Sequence, residues 1–234
     1  PTNGTYEEER IIPVVVTINE AYAMALAVMI RSVMENLASG ARIDLHVLED
    51  GLDDSVKEQV EGSWLPSRVT THWIAVDKDD LGGIVRQNSH PGVPAAYYRI
   101  LLGDLLPRTI ERVIYLDVDL IVTGDLSELY SVPLDGNLTL AVPDAYQSNS
   151  TLRLSRVAFP DGFRFTKKSL YFNSGVMVID LHGWRRERVR ERALQAADVY
   201  GDQMYLQDQD ALNYVLAGRW KPLSPMWNFM EIPY

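Results

Sequence analysis

The chain has 234 residues, 47% of them apolar, and sets 22 Lys and Arg against 32 Asp and Glu for a net charge of −10. That is enough apolar chain for one large core, and the acidic balance argues against a nucleic-acid backbone or an anionic membrane surface as the main partner. The absence of cysteine removes disulfides, thiolate metal sites and cysteine nucleophiles together.

Val14 to Ile18 is β-branched and apolar throughout, as expected of a strand buried on both faces of a parallel sheet. Asn19 is placed to cap the following helix, in which Tyr22, Leu26, Met29, Ile30, Val33 and Leu37 recur at helical spacing and after which Gly40 ends the pattern. The apolar stretch of that helix, Ala21 to Ile30, is too short to span a bilayer. Ile43 to Leu48 and Val69 to Val76 read as strands around a polar helix at Asp53 to Glu61. Asp77 to Pro94, rich in Gly and Pro, is a long connection of the kind that usually carries function. A helix from Ala95 to Leu106 follows, stopped by Pro107.

Ile114 to Val122 is apolar except for Asp117 and Asp119. Read as a strand, it places both carboxylates on one side, roughly 6 to 7 Å apart along the backbone. There they can share a hard divalent cation whose open positions take up substrate phosphate; two solvated aspartates at a strand end are the plainer alternative. Thr123-Gly124-Asp125 is a turn, Leu138 to Val142 a strand, and Asp144 to Lys168 an irregular polar and aromatic stretch. A strand at Val176 to Leu181 and helices at about Arg185 to Tyr200 and Asp208 to Leu216 complete the pattern. The alternation predicts an α/β sheet with helices on both faces. Ligands of such sheets bind beyond the carboxyl ends of the strands, where Asn19, Asp117, Asp119 and Asp144 fall. Neither the glycine turn of a dinucleotide site nor a P-loop is present, which argues against both classes.

Five segments in order form a larger pattern: His46 to Gly51, Tyr98-Arg99-Ile100, the Asp117-Val118-Asp119 triplet, Tyr171 to Val176 and Gln207 to Asn213. In this order and spacing the chain resembles glycosyltransferase family 8 from about Val14 to Met230, most of all its bacterial lipopolysaccharide galactosyl- and glucosyltransferases, with glycogenin as a relative. The resemblance implies a GT-A fold: one Rossmann-like nucleotide-sugar-binding catalytic domain over residues 1–234, with a mostly parallel mixed sheet flanked by helices. It implies a retaining hexosyltransferase that moves galactose or glucose from a UDP-sugar to a saccharide, glycolipid or glycoprotein acceptor. Mn²⁺ or Mg²⁺ would bridge the diphosphate to Asp117 and Asp119. Thr17, Asn19, Arg99, Val118 and Ser174 would join these aspartates around the donor, while Asp144, Asn173, Asp208 and Gln209 would surround the reacting sugar, Gln209 on the β face of the anomeric carbon. An amide is a poor nucleophile, so stabilisation of an oxocarbenium-like species fits Gln209 better than covalent catalysis.

Local alternatives stand beside these roles. Arg99 can pair with Asp104 or another helix neighbour, Asn173 can be a turn residue at a β-bulge, and Asn19 and Asp208 can be helix caps. Asn19 and Ala21 occupy places where the family commonly has Asp and Asn. The family's third metal ligand, a histidine in a His-x-x-Gly-x-x-Lys-Pro-Trp segment, has no counterpart, so the expectation is a catalytic domain lacking the C-terminal metal and phosphate motif. The basic aromatic tail of many bacterial members is also absent, which suggests a cytoplasmic protein, peripheral at the membrane in a longer parent chain. Two other functions remain: a nucleotide-sugar-binding domain without turnover, and a haloacid-dehalogenase-type phosphatase, against which the apolar Leu120-Ile121-Val122 counts.

Overall fold

The computed structural model describes residues 10–81, 93–146, 151, 153–166 and 168–230. In chain order the elements are β1 (Arg10–Ile18), α1 (Ala23–Asn36), β2 (Ala41–Glu49), α2 (Asp54–Glu61), β3 (Val69–Ala75), α3 (Val93–Tyr97), α4 (Leu102–Leu105) and β4 (Arg112–Leu116). There follow α5 (Leu126–Ser131), β5 (Thr139–Pro143), β6 (Phe172–Asp180), α6 (Leu181–Arg186), α7 (Val189–Tyr200), α8 (Gln207–Val215) and β7 (Trp220–Pro222). The strands form one seven-stranded sheet in the order β3-β2-β1-β4-β6-β5-β7. It is mixed: β3, β2, β1 and β4 run parallel, β6 runs antiparallel to both its neighbours, and β7 pairs parallel with β5.

Alternation along the strands divides the core in two. Val14, Val16, Ile114, Leu140 and Val178 pack toward α1, α2 and α5, while Val15, Tyr115, Ala141, Met177 and Ile179 pack toward the side formed by α3, α4, α6, α7 and α8. Both faces of the central strands are therefore dry, and each fully buried Val, Leu or Ile contributes about 1.5–3 kcal/mol.

Several boundaries differ from the sequence reading. The aspartate-bearing strand ends at Leu116, so Asp117 and Asp119 lie just beyond it and Leu120 to Val122 is not strand. The cause is its partner on one side: β1 pairs with β4 only at Val14 and Val15, and beyond Tyr115 the two strands separate. After Asp117, whose N–H still donates to Gly175 O at 2.8 Å, Val118 turns into the core and Ile121 is 64% exposed. The helix expected from Ala95 is broken by a 3-10 turn at Tyr98–Leu101. The one expected from Arg185 is broken by Arg188, whose φ of 53° is left-handed. The strand expected to begin at Val176 begins at Phe172 instead, and a register shift in its ladder with β5 accommodates residues 174–176. Helix α5 and strand β7 were not anticipated. Much of the expected loop at 77–94, and part of that at 144–168, lies outside the described residues.

Candidate active site

Strand order reverses at β1, whose neighbours are β2 and β4. A crevice forms at the carboxyl end of such a switch point because the connections leave it in opposite directions. Here it is a cavity of about 170 Å³ lined by Thr17, Ile18, Asn19, Tyr22, Ala95, Ala96, Arg99, Asp117, Val118 and Asp119. Arg99, Ala96 and Asp117 also line a second, adjoining cavity of about 460 Å³ with Asn173, Ser174, Asp208 and Gln209. Because β6 is antiparallel, its amino end rather than its carboxyl end reaches this edge of the sheet and delivers Asn173 and Ser174. Ten of the eleven residues expected at the site thus line one cavity or the other. Asp144, buried at the end of β5, stands behind them.

Arg99 is the wall between the cavities. Only 7% exposed, it ion-pairs with Asp117 through Nη2 at 3.0 Å and with Asp208 through Nε at 3.1 Å. Its Nη1 donates to Ser174 O at 3.0 Å and Oγ at 2.9 Å, and its Nε to Ala96 O at 2.9 Å. The guanidinium stacks 4.8 Å from the Tyr115 ring centroid. Burial alone would favour loss of its charge, but Asp117, Tyr115 and Asp208 together hold it more firmly protonated than usual. The alternative partner Asp104 is taken by Arg190 at 2.6 Å. Tyr115 donates to Asp117 Oδ1 at 2.8 Å and accepts from Thr17 Oγ1 at 3.1 Å. This leaves Asp117 Oδ2 without a hydrogen bond among the described residues. A methyl group at Gly175 would meet that oxygen at 2.9 Å, so only glycine keeps the position clear.

Gln209 is 6% exposed, and its amide orientation follows from its partners. The Ser174 N–H can only donate, so Oε1 accepts from it at 2.8 Å and also from Ser174 Oγ at 3.1 Å. The Nε2 donates to Asp144 Oδ2 at 3.1 Å and to Tyr171 Oη at 3.2 Å. Asp144 Oδ2 accepts a second bond, from Asn173 Nδ2 at 3.1 Å. The other end of Asn173, Oδ1, accepts from Gly175 N at 2.9 Å and Asn228 Nδ2 at 2.8 Å. Asn213 fastens α8 to β6 by bonds to both the N–H and C=O of Phe172, at 2.8 and 2.9 Å. Asp208 does not cap α8. That end is held by Asp210 Oδ2, which accepts from Tyr205 N at 2.6 Å and Leu206 N at 3.0 Å, leaving Asp208 free to meet Arg99. Asn19, by contrast, does cap the turn that precedes α1, accepting from Ala21 N at 3.1 Å.

The model of glycosyl transferase family 8 matches residues 13–234. The chain belongs to glycosyltransferase family 8. General stress protein A of Bacillus subtilis (strain 168) is 31% identical over 94% of this family 8 chain and 74% of its own length. Lipopolysaccharide 1,2-glucosyltransferase of Escherichia coli is 30% identical over 90% of this chain and 60% of its own length. Among solved structures, galactosyltransferase LgtC in complex with donor and acceptor sugar analogues matches with a TM-score of 0.77 and 25% identity, over 92% of this chain and 74% of LgtC. A glutamine-to-glutamate active-site mutant of LgtC matches with a TM-score of 0.78. The GT-A fold expected from the sequence is therefore the fold of this family 8 chain.

The site of this family 8 member also uses residues that the sequence did not single out. Tyr115 lies two positions before Asp117, and the period of a strand would have pointed to it. Tyr171, which donates to Asp210 Oδ1 at 2.5 Å, opens one of the five segments of the sequence pattern, with no role implied for it there. Asp208 has an unusual acidity. Burial raises its pKa to about 6; Arg99 opposes the rise and Asp117 adds to it. Its folded value exceeds the unfolded value, so the folded chain binds the extra proton between about pH 4 and 6, and this contribution to stability falls as pH rises through that window. Asp208→Asn is expected to flatten that fall. Urea denaturation from pH 4 to 7 tests it, and an unchanged profile would contradict the assignment.

Proposed function

We propose that residues 1–234 act as the catalytic domain of a retaining hexosyltransferase that takes galactose or glucose from a UDP-sugar to a saccharide, glycolipid or glycoprotein acceptor. One observation carries this reading: a crevice at the β1/β4 switch point places two carboxylates and a buried guanidinium in a single wall. The relation to LgtC, solved with donor and acceptor sugar analogues, supports it.

The donor set suits Mn²⁺ or Mg²⁺. Asp117 keeps Oδ2 available and Asp119 is exposed beside it, and both offer only hard oxygen atoms. An ion held by Asp117 and Asp119 supplies positive charge where the leaving diphosphate becomes more negative. Arg99 adds a fixed charge that needs no reorganisation as the bond breaks, because polar groups of four residues already orient it. Thr17 and Asn19 line the part of the crevice suited to the nucleoside. Asn19 Oδ1 is committed to Ala21 N, so its Nδ2 is the group left to meet the base or ribose. Gln209 and Asn173 wall the adjoining cavity for the hexose, held in place from behind by Asp144.

A second reading, donor binding without turnover, is favoured by one fact: among the described residues no third His, Asp or Glu joins Asp117 and Asp119 closely enough to share an ion. Calorimetric titration of UDP with and without Mn²⁺, followed by assay of UDP-galactose and UDP-glucose hydrolysis, separates the two. Metal-dependent binding with hydrolysis is the expected result; binding alone would favour the second reading, and no binding would reject both. Asp119→Ala is expected to abolish the Mn²⁺-dependent part of UDP binding while leaving the urea midpoint unchanged, since the side chain is exposed and unpaired among the described residues. Undiminished binding would remove Asp119 from the metal site.

A further inference from the structure

On the far side of β1 from the aspartates, β2 and β3 bring three further metal-binding side chains together. Asp44 and His46 lie two apart on one face of β2, and His72 is paired with His46 across the parallel ladder. The Nε2 of His46 lies 3.1 Å from Asp44 Oδ2, and the Nε2 of His72 lies 2.7 Å from Oδ1. The two imidazoles are stacked, with centroids 4.8 Å apart and planes 15° from parallel. One ligand atom from each of the three residues falls within 4.8 Å of the other two. Among the described residues no other group of three or more His, Asp or Glu meets that condition.

We propose that Asp44, His46 and His72 form a second metal site, selective for a borderline divalent cation such as Zn²⁺ and distinct from the aspartate pair. Two imidazoles and one carboxylate form an N₂O donor set, which suits Zn²⁺, whereas two carboxylates suit Mn²⁺ or Mg²⁺. Zn–N and Zn–O bonds of about 2.0–2.2 Å need each imidazole nitrogen only slightly farther from Asp44 than its hydrogen bond already places it. The site is also reachable: the His72 side chain is 48% exposed and that of Asp44 25%, while the His46 side chain is 4% exposed and anchors the cluster.

Without a metal, the Nε2 of each ring donates to an Asp44 oxygen. A bound metal would use the Nε2 lone pairs and leave each ring's remaining proton on Nδ1. The half-exposed His72 can give its Nδ1–H to water. The Nδ1 of His46 is buried and has no hydrogen-bond partner among the described residues. Histidine ligands are usually braced at that nitrogen, and loss of the brace weakens affinity by about 10–100-fold. The site is thus one of moderate affinity. Its structural consequence is a staple on β3, the edge strand.

The test is ¹⁵N NMR of the histidine rings of the full chain, which has four, during titration with Zn²⁺. Zn²⁺ is expected to invert the Nδ1 and Nε2 shifts of His46 and His72 together, saturating at one equivalent, and to raise Tm with Zn²⁺ concentration. His72→Ala and Asp44→Asn, at partly exposed positions, are each expected to weaken Zn²⁺ binding at His46 at least tenfold. Ring shifts of His46 and His72 unmoved by Zn²⁺, or unchanged Zn²⁺ affinity in both variants, would overturn the site. UDP and Mn²⁺ play no part in the readout, so the result is independent of the donor-site reading.

Discussion

Replacing Arg99 with Met is expected to lower stability by about 3–5 kcal/mol, the usual cost of removing one partner from a buried charge cluster. Methionine nearly fills the volume but leaves Asp117 and Asp208 facing each other without a cation, and Ser174 O and Oγ without their donor. The sign of the pH dependence identifies the cause. Arg99 holds the pKa of Asp208 down, so without it Asp208 takes up its proton at a higher pH than the wild-type value of about 6, and the deficit should shrink as pH falls toward about 6 and level off below it. A loss of packing alone would be the same at pH 5 and pH 8. Arg99→Lys keeps a charge but cannot reach both carboxylates and Ser174 from one ammonium, so it should recover only part of the stability and little of the UDP affinity. Urea denaturation at the two pH values measures the first effect and calorimetry the second. Wild-type stability in Arg99→Met would show that the cluster is not the keystone of the crevice.

Gln209→Ala is expected to reduce turnover by about 10²–10³-fold while changing UDP affinity less than about threefold, if the amide acts on the sugar rather than on the nucleotide. Stability should fall by about 1–3 kcal/mol, because the buried Ser174 N–H loses its acceptor and Asp144 loses a donor. Gln209→Glu is a sharper probe. It sets a carboxylate beside Asp144 Oδ2, where the amide now lies at 3.1 Å, so one of the two acids must hold a proton at neutral pH. Its turnover should therefore vary with pH where that of the wild type is flat. An unaltered rate in both variants would remove Gln209 from the reacting centre.

The sequence revealed the aspartate pair, the alternation of strand and helix and the crevice beyond the strand ends, because each depends on local pattern. What it could not reveal was which strand accompanies which. The apolar run from Ile114 to Val122 has one period throughout, yet its second half leaves the sheet, since β1 pairs with β4 only at Val14 and Val15. The partners of Arg99 were hidden for the same reason. Asp104 is its neighbour in sequence, but Asp117, Ser174 and Asp208 arrive from three other segments. Asp208 and Asp210 are equally plausible caps on paper, and only the path of Tyr205 and Leu206 decides between them. The Asn-Ser-Gly chemistry, which is local, offered a bulge at Asn173 as the alternative to a sugar contact, and the ladder shifts register just after it, whereas the Asp144 and Asn228 it reaches gave no local signal.

The placement of β6 governs the order in which the molecule can be built. The β1–β2–β3 ladders join segments close in sequence and are all present once residue 75 has left the ribosome. The β4 edge next to Asp117 has to wait about sixty more residues for β6, and β5 waits for Trp220. Loops that long close late. A nascent chain therefore carries a finished amino-terminal half and an open, apolar β4 edge for a substantial part of synthesis. The crevice itself is lined by residues made before β6, but the adjoining cavity waits for Asn173, Ser174, Asp208 and Gln209, so a product interrupted before about residue 170 would be a sheet fragment with its aspartates in place and no wall opposite them.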